Sequence, residues 1–260
     1  MIMNIGAIVQ ARMSSERLPG KVLLPLAGKP VIWHVLDRLR HAKKLKSIVL
    51  ATSDEPEDKA LKVIADEFSI PTYFGNLDDV LSRYYHAARQ FRIDPIVRIT
   101  GDCPMIDPEI VDEVVQYFID GNYDYCGLSG AFPDGLDTTV FSFAALEAAF
   151  NEGRLSSDRE HVGATFFRNN TGRFRIGGYQ KFTDRSDYRW TIDEEKDYEF
   201  LKEAFRELYS PARPFSYRDV FELLKKRPEL QRINIHIVRN EGYLKSLKKD
   251  KRFSEKDHEK

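Results

Sequence analysis

Two cysteines in 260 residues, Cys103 and Cys126, are too few for a disulfide framework. Each reads as a small buried side chain in a reducing compartment. No apolar run approaches the roughly 18 residues of a membrane span. Neither charge sign is in excess: 40 Lys and Arg stand against 41 Asp and Glu, for a net charge of -1. No global field therefore draws the chain to nucleic acid or to an anionic membrane, and any anion site has to be local. The first apolar run, NIGAIV, has no basic segment before it and is too short for a signal peptide. The expectation is a cytoplasmic protein with neither nucleic acid nor membrane among its partners.

Several chemistries are disfavoured by missing motifs. No GxGxxG follows the first apolar run and no GxxxxGK[ST] occurs, which argues against a Rossmann dinucleotide site and a Walker-type NTPase. The six histidines lack HExxH or any paired ligand spacing, so a zinc centre is not expected. There is no GxSxG nucleophile elbow.

What is present is an ordinary globular composition, 42% hydrophobic and 31% charged, with β-branched apolar runs alternating with segments of helical period. Strands are expected at Asn4–Gln10, Lys46–Thr52, Pro71–Phe74 and Pro95–Thr100. Helices are expected at Pro30–Leu39, Glu55–Phe68 (with Asp54 as N-cap), Asp78–Phe91 and Pro108–Phe118. The second half is less regular, with strands at Tyr123–Gly127, Asp137–Phe141, Arg173–Tyr179, Tyr188–Ile192 and Ile233–Val238. Its helices are expected at Phe143–Asn151, Asp158–Asn169, Glu194–Leu208 and Ser216–Lys226. This alternation predicts an α/β fold with a mainly parallel central sheet and helices on both faces. Residues 1–240 read as a single domain. Residues 241–260 read as a charged C-terminal tail, of which 244–260 mix both charges without an apolar period and read as frayed and solvated.

In such sheets ligands bind beyond the carboxyl ends of the strands. The loops leaving those ends are QARMSSER, TSDEPED and TGDCPMID, all polar and charged. The first continues into LPGK, gathering Arg12, Arg17 and Lys21 with Ser14 and Ser15 around a Pro19-Gly20 turn. As a purely structural loop so dense a set of like charges would repel itself; as a phosphate cradle it supplies cations and backbone N–H groups. Asp102 follows PIVRIT, and Asp193 follows RWTI with Asp197 one helical turn on. A lone Asp at a helix start is commonly an N-cap. Two hard oxygen ligands at separate strand ends, facing a cationic loop, instead suit Mg²⁺ held between protein and phosphates.

These residues also carry a resemblance. The segment QARMSSERLPGKVLLPLAGKPVIWHV is similar to the opening signature of the sugar cytidylyltransferases, the CMP-octulosonate and CMP-acylneuraminate synthetases, and most of all to the spore coat polysaccharide biosynthesis protein F group. ATSDEPED, DDVLSRYY, VRITGDCPMIDP, DGLDTTVFSFAALEAA, SDREHV and WTIDEEKDYEFL follow in the same order, over about residues 4–208. The resemblance implies a GT-A-like nucleotide-diphospho-sugar transferase fold. It implies an enzyme that activates an acidic sugar with CTP, releasing pyrophosphate, for surface polysaccharide or glycan biosynthesis.

Carried over residue by residue, Gln10, Ala11, Arg12, Ser14, Ser15, Lys21 and Asp102 would bind the nucleotide. Arg12, Lys21 and Asp102 would be catalytic, with Asp102 and Asp193 matching the metal-binding aspartates for Mg²⁺. Asp137, Arg159, Glu160 and His161 would face the sugar. Thr100-Gly101-Asp102 stands where the octulosonate enzymes have Gln-Gly-Asp, and Ala51–Asp58 lacks their Thr-Asp-Asp, which leaves CTP versus GTP and the sugar open. A nucleotide-sugar-dependent glycosyltransferase on the same fold is the alternative, although no DxD ends a predicted strand. The resemblance also implies a homodimer, with an interface expected after Asp124 around Phe132, Phe141 and Phe143. Lys21 is expected to face solvent.

Overall fold

The computed structural model describes residues 3–258, with side chains through Lys251. The first strand, β1 (Gly6–Gln10), is followed by a short hairpin of β2 (Pro25–Leu26) and β3 (Lys29–Pro30), then α1 (Val31–Leu39). Next come β4 (Ser47–Ser53), α2 (Lys59–Glu67), β5 (Thr72–Gly75), α3 (Val80–Phe91), β6 (Ile96–Thr100) and α4 (Pro108–Asp120). The second half holds β7 (Tyr125–Leu128), β8 (Thr139–Phe141), α5 (Phe143–Glu152), α6 (Ser156–Glu160), α7 (Ala164–Asn169) and β9 (Ile176–Tyr179). It ends with α8 (Glu195–Leu208), α9 (Tyr217–Lys226), α10 (Pro228–Gln231) and α11 (Glu241–His258).

Seven strands form one mixed sheet in the order β5-β4-β1-β6-β8-β7-β9. The strands β5, β4, β1 and β6 run parallel, while β8 lies antiparallel to both β6 and β7. Side chains alternate across the pleat, as period-two strands require. Ala7, Val9, Leu50, Val97 and Ile99 enter a core with α1, α2, α4, α8 and α9. Ile8, Val49, Ala51 and Ile96 enter a second core with α3, α5 and α7. Helices therefore cover both faces, as the alternation of the sequence predicts.

Several expectations need correction. The segment Tyr188–Ile192 makes only a single bridge, Asp134 to Arg189, because its polar groups are drawn into an ion-pair cluster. Ile233–Val238 is a series of turns rather than a strand. The helix expected over Asp158–Asn169 breaks into α6 and α7 where Val162 and Gly163 take φ of 54° and 75°. The aromatics expected at a dimer interface are used within one chain: Phe132 and Phe141 are buried, and Phe143 packs on Tyr85. Residues 244–258 do not fray but belong to α11, which packs against α6; Glu259 and Lys260 lie outside the described residues. Among the described residues no helix is long and apolar enough to cross a membrane.

Candidate active site

The chain leaves β1 toward β4 and β5 on one side and reaches β6 on the other, so the strand order reverses between β1 and β6. Gln10 and Thr100 are partners at the carboxyl ends of those two strands. This is the switch point at which open α/β sheets bind ligands, and a cavity of about 540 Å³ lies there. The two strand ends are drawn tightly together: Gly101 N–H donates to the Gln10 carbonyl at 2.7 Å. A Cβ at Gly101 would stand 2.8 Å from Ala11 Cβ and 2.9 Å from the Gln10 oxygen, so only glycine fits.

The loop after β1 is fixed from below. Asp58 is buried and accepts from Met13 N–H at 2.6 Å, from Ser53 N–H, and from the hydroxyls of Thr52 and Ser53. The acidic loop TSDEPED thus contributes an anchor for its cationic neighbour. Gly20, at φ 70°, turns the chain back, with its N–H on the Met13 carbonyl at 2.9 Å. That turn delivers Lys21 inward. Its ammonium donates to Asp102 Oδ2 at 2.6 Å, Asp193 Oδ1 at 2.8 Å and the Ile192 carbonyl at 2.7 Å. Lys21 is 8% exposed, which corrects the expectation of a solvent-facing residue. Burial works against its charge, but Asp102 and Asp193 outweigh it and raise the pKa.

Asp193 is the hub. Its other oxygen accepts from Arg189 at 2.8 Å and pairs with Arg17 at 3.2 Å. Burial pushes its carboxyl up, yet Lys21, Arg17 and Arg189 together hold the pKa down to about 2. The helix-capping role that a lone Asp commonly plays falls instead to Asp197, which accepts from the N–H groups of Asp193 and Glu194 at 2.9 and 3.1 Å. Asp197 also takes Arg189 at 2.8 Å and Asn234 at 2.9 Å and is fully buried. Its lone pairs are occupied, so it holds Arg189 and the turn rather than facing the cavity.

Of the residues expected at the site, Gln10, Ala11, Arg12, Ser14, Ser15, Lys21, Asp102, Glu160, His161 and Asp193 all line the one cavity. Asp137 and Arg159 do not line it. Asp137 accepts from Gly135 N–H at 3.0 Å and lies 3.8 Å from Arg239. Arg159 pairs with Asp79 and donates to the Phe150 carbonyl at 3.0 Å, with its guanidinium over the Phe150 ring. His161 meets Ser246 of α11 at 3.1 Å, and Ser246 donates to Glu160. Burial and the charge of Arg98 outweigh Glu160 and lower the His161 pKa to about 4, so it is neutral at pH 7.

Three features escape sequence reasoning. Arg189 ties Asp134, Asp193 and Asp197 together. Arg83 lines the cavity although 2% exposed; it donates to the Asn76 and Leu77 carbonyls and leaves Nε without a partner. Burial, and next to it Arg12, lower its pKa. The third feature is α11, whose Lys245, Lys248 and Lys249 line the cavity. Arg83 and Arg189 stand in DDVLSRYY and beside WTIDEEKD, so the motifs held the signal without distinguishing these arginines from surface charges. Among the described residues no group of three or more His, Cys, Asp or Glu is placed to hold a metal ion.

The comparisons with known proteins bear on the family and the fold. A sequence profile of the family described as cytidylyltransferase matches residues 6–226. The chain belongs to that family. A family member of known structure, a cytidylyltransferase from Leptospira borgpetersenii, superposes with a TM-score of 0.84 at 35% identity, covering 91% of this chain and 99% of the other. The spore coat polysaccharide biosynthesis protein SpsF of Bacillus subtilis is 31% identical over 87% of this chain and 96% of its own. A 3-deoxy-manno-octulosonate cytidylyltransferase of Lawsonia intracellularis is 35% identical over 127 residues, 47% of this chain and 48% of that protein. The α/β fold expected from the sequence is thus the family's fold, and α11 lies beyond the stretch that the family profile matches.

Proposed function

We propose that this cytidylyltransferase activates an acidic sugar with CTP, forming a CMP-sugar and pyrophosphate. The observation that carries this reading is the convergence of Asp102 and Asp193 on Lys21 at the floor of a cationic loop, at the switch point of the sheet. In the transfer a sugar hydroxyl attacks the α-phosphorus. The bond from that phosphorus to the bridging oxygen breaks, pyrophosphate leaves, and the hydroxyl proton passes to water. Lys21, Arg12 and Arg83 are the cations that meet the growing negative charge on the leaving group. Fixed in a partly water-excluded cavity, they stabilise the transition state by position rather than by covalent chemistry. Gln10 offers a buried Oε1 without a partner, suited to accept from an exocyclic amine of the base; cytosine carries one and uracil does not.

The two carboxylates fit a divalent cation. Both lie within 2.8 Å of one nitrogen, so they converge on one point, and both are hard oxygen donors. Asp102 and Asp193 would hold Mg²⁺ there, with Lys21 released to the phosphates. A bound Mg²⁺ supplies charge neutralisation at the phosphates and acidifies the attacking hydroxyl.

The sugar side is assigned to Glu160 and His161. The partly matching octulosonate relative supports a sugar acid, and the spore coat relative supports a product destined for surface polysaccharide. A homodimer, as the family resemblance implies, would use a face other than the buried Phe132 and Phe141.

The reading is tested by thermal denaturation with each of the four nucleoside triphosphates and Mg²⁺. A ligand at a hundred times its Kd stabilises by about 2.7 kcal/mol. CTP is expected to give the largest shift. Equal shifts for all four, or none, would remove the support for CTP.

A further inference from the structure

A triphosphate carries about four negative charges, one or two on each phosphate. The cradle loop has less free charge to offer than its sequence suggests. Asp102 and Asp193 offset the charge of Lys21, and would offset that of a bound Mg²⁺ if Lys21 were released to the phosphates, while Arg17 is offset by Asp193, Glu194 and Glu241. Arg12 and Arg83 are the cavity's cations on this side without a carboxylate partner among the described residues. Further charge stands where α11 forms part of the cavity wall. Lys248 and Lys249 of α11 line the same cavity, are exposed, and have no partner among the described residues, whereas Lys245 pairs with Glu241 at 3.2 Å.

The wall is a built one. Ser246 is fully buried between His161 and Glu160, and Asp250 accepts from Ser157 N–H at 3.2 Å. The Tyr243 hydroxyl meets Thr165 Oγ1 at 2.9 Å, with Arg168 over its ring. At the helix start Glu241 takes Arg17 at 2.7 Å, joining α11 to the cradle loop. Buried polar contacts of this kind fix orientation more closely than apolar packing, since each is lost if the helix rotates.

We propose that α11 is the second half of the phosphate site, with Lys248 and Lys249 reaching the triphosphate from its side of the cavity. The proposal rests on the nucleotide reading above and adds a helix outside the family's matched stretch to it. Long, solvated lysines suit the role: they reach a polyanion without the desolvation that a buried ammonium would require. The sugar carboxylate is the competing anion, and the test separates the two.

Binding of CTP with Mg²⁺, and separately of inorganic tripolyphosphate, is measured by calorimetry for the wild type, Lys248→Ala/Lys249→Ala and Lys248→Arg/Lys249→Arg. The alanine pair is expected to raise both Kd values at least about fivefold and to flatten their salt dependence. The arginine pair should restore them, and the melting temperature without ligand should not change. Amide exchange over residues 241–251 should slow in the wild type with either ligand. Kd values unchanged in the alanine pair would overturn the proposal. So would a pair that binds both ligands normally and raises only the KM of a sugar acid, which would give the lysines to the carboxylate. Tripolyphosphate bound through these lysines by a wild type that ignores CTP would sustain the anion wall and sink the nucleotide reading instead. A wild type that binds neither ligand would overturn both.

Discussion

Asp193→Asn is expected to lower kcat by about two to three orders of magnitude, the range seen when one preorganised electrostatic group is removed from a transition-state site. The substitution keeps size and removes charge. Its structural effect should be modest, because Lys21 keeps Asp102 and Arg189 keeps Asp134 and Asp197. A helix cap would survive it, since Asn caps about as well as Asp, but the cap here is Asp197. Activity should therefore fall while α8 remains intact by circular dichroism. The double variant with Asp102→Asn should be little worse than the poorer single one, because both carboxylates serve one point.

The same residue leaves a mark on acid stability. Its folded pKa of about 2 lies below the ordinary 3.8, so its stabilisation is complete above about pH 4 and is lost as the pH falls toward 2. The shift corresponds to about 2 kcal/mol. In urea titrations over that window the wild type should lose this increment and Asp193→Asn should not. Near-normal turnover in the variant would remove Asp193 from the mechanism.

Lys21→Ala is the second large effect, and it strikes folding as well as turnover. The sequence alone suggested a solvent-facing lysine whose loss the fold would ignore. Instead the ammonium separates two carboxylates, and breaking such a buried pair from one side costs about 3–5 kcal/mol because like charges are left facing each other. Unfolding free energy should fall by up to about that amount, and kcat by about two to three orders of magnitude. A diagnostic follows from the geometry. With the ammonium gone, Asp102 and Asp193 point at a free cation position, so millimolar Mg²⁺ should raise the melting temperature of Lys21→Ala more than that of the wild type. Stability and turnover both unchanged would mean that the cluster has no part in holding the site.

How much of this was legible beforehand follows from the kind of information each feature needs. Strand alternation and loop polarity suffice for the parallel half of the sheet, since β1, β4, β5 and β6 each carry their own apolar period. The position of Asp102 is legible for the same reason, since it lies just beyond the end of β6; that of Asp193 is not, because Tyr188–Ile192 makes a single bridge and reaches Asp102 through the Ile192 N–H on the Asp102 carbonyl at 2.9 Å. Lys21 is legible as a residue of the loop after β1, but its environment is not, because its partners lie 81 and 172 residues away. Arg159 sits in a motif that suggests the sugar site, yet it turns to Asp79 and Phe150. Nothing in local sequence separates it from the adjacent Glu160, which does line the cavity. The helix α11 was missed for a different reason. It docks through Ser246, Asp250 and Tyr243 rather than through an apolar stripe, and a search for hydrophobic period is blind to such contacts.

The central claim is transfer of a nucleotidyl group from CTP at the cavity between β1 and β6. It is tested most directly by incubating the protein with Mg²⁺, CTP labelled on the α-phosphorus, and a panel of sugar acids that includes 3-deoxy-manno-octulosonate. The expected result is a labelled CMP-sugar formed one-for-one with unlabelled pyrophosphate, for at least one sugar acid, with Lys21→Ala forming both at least about a hundredfold more slowly. Pyrophosphate absent across the panel, together with release of a nucleoside diphosphate from a nucleotide-sugar donor, would contradict it.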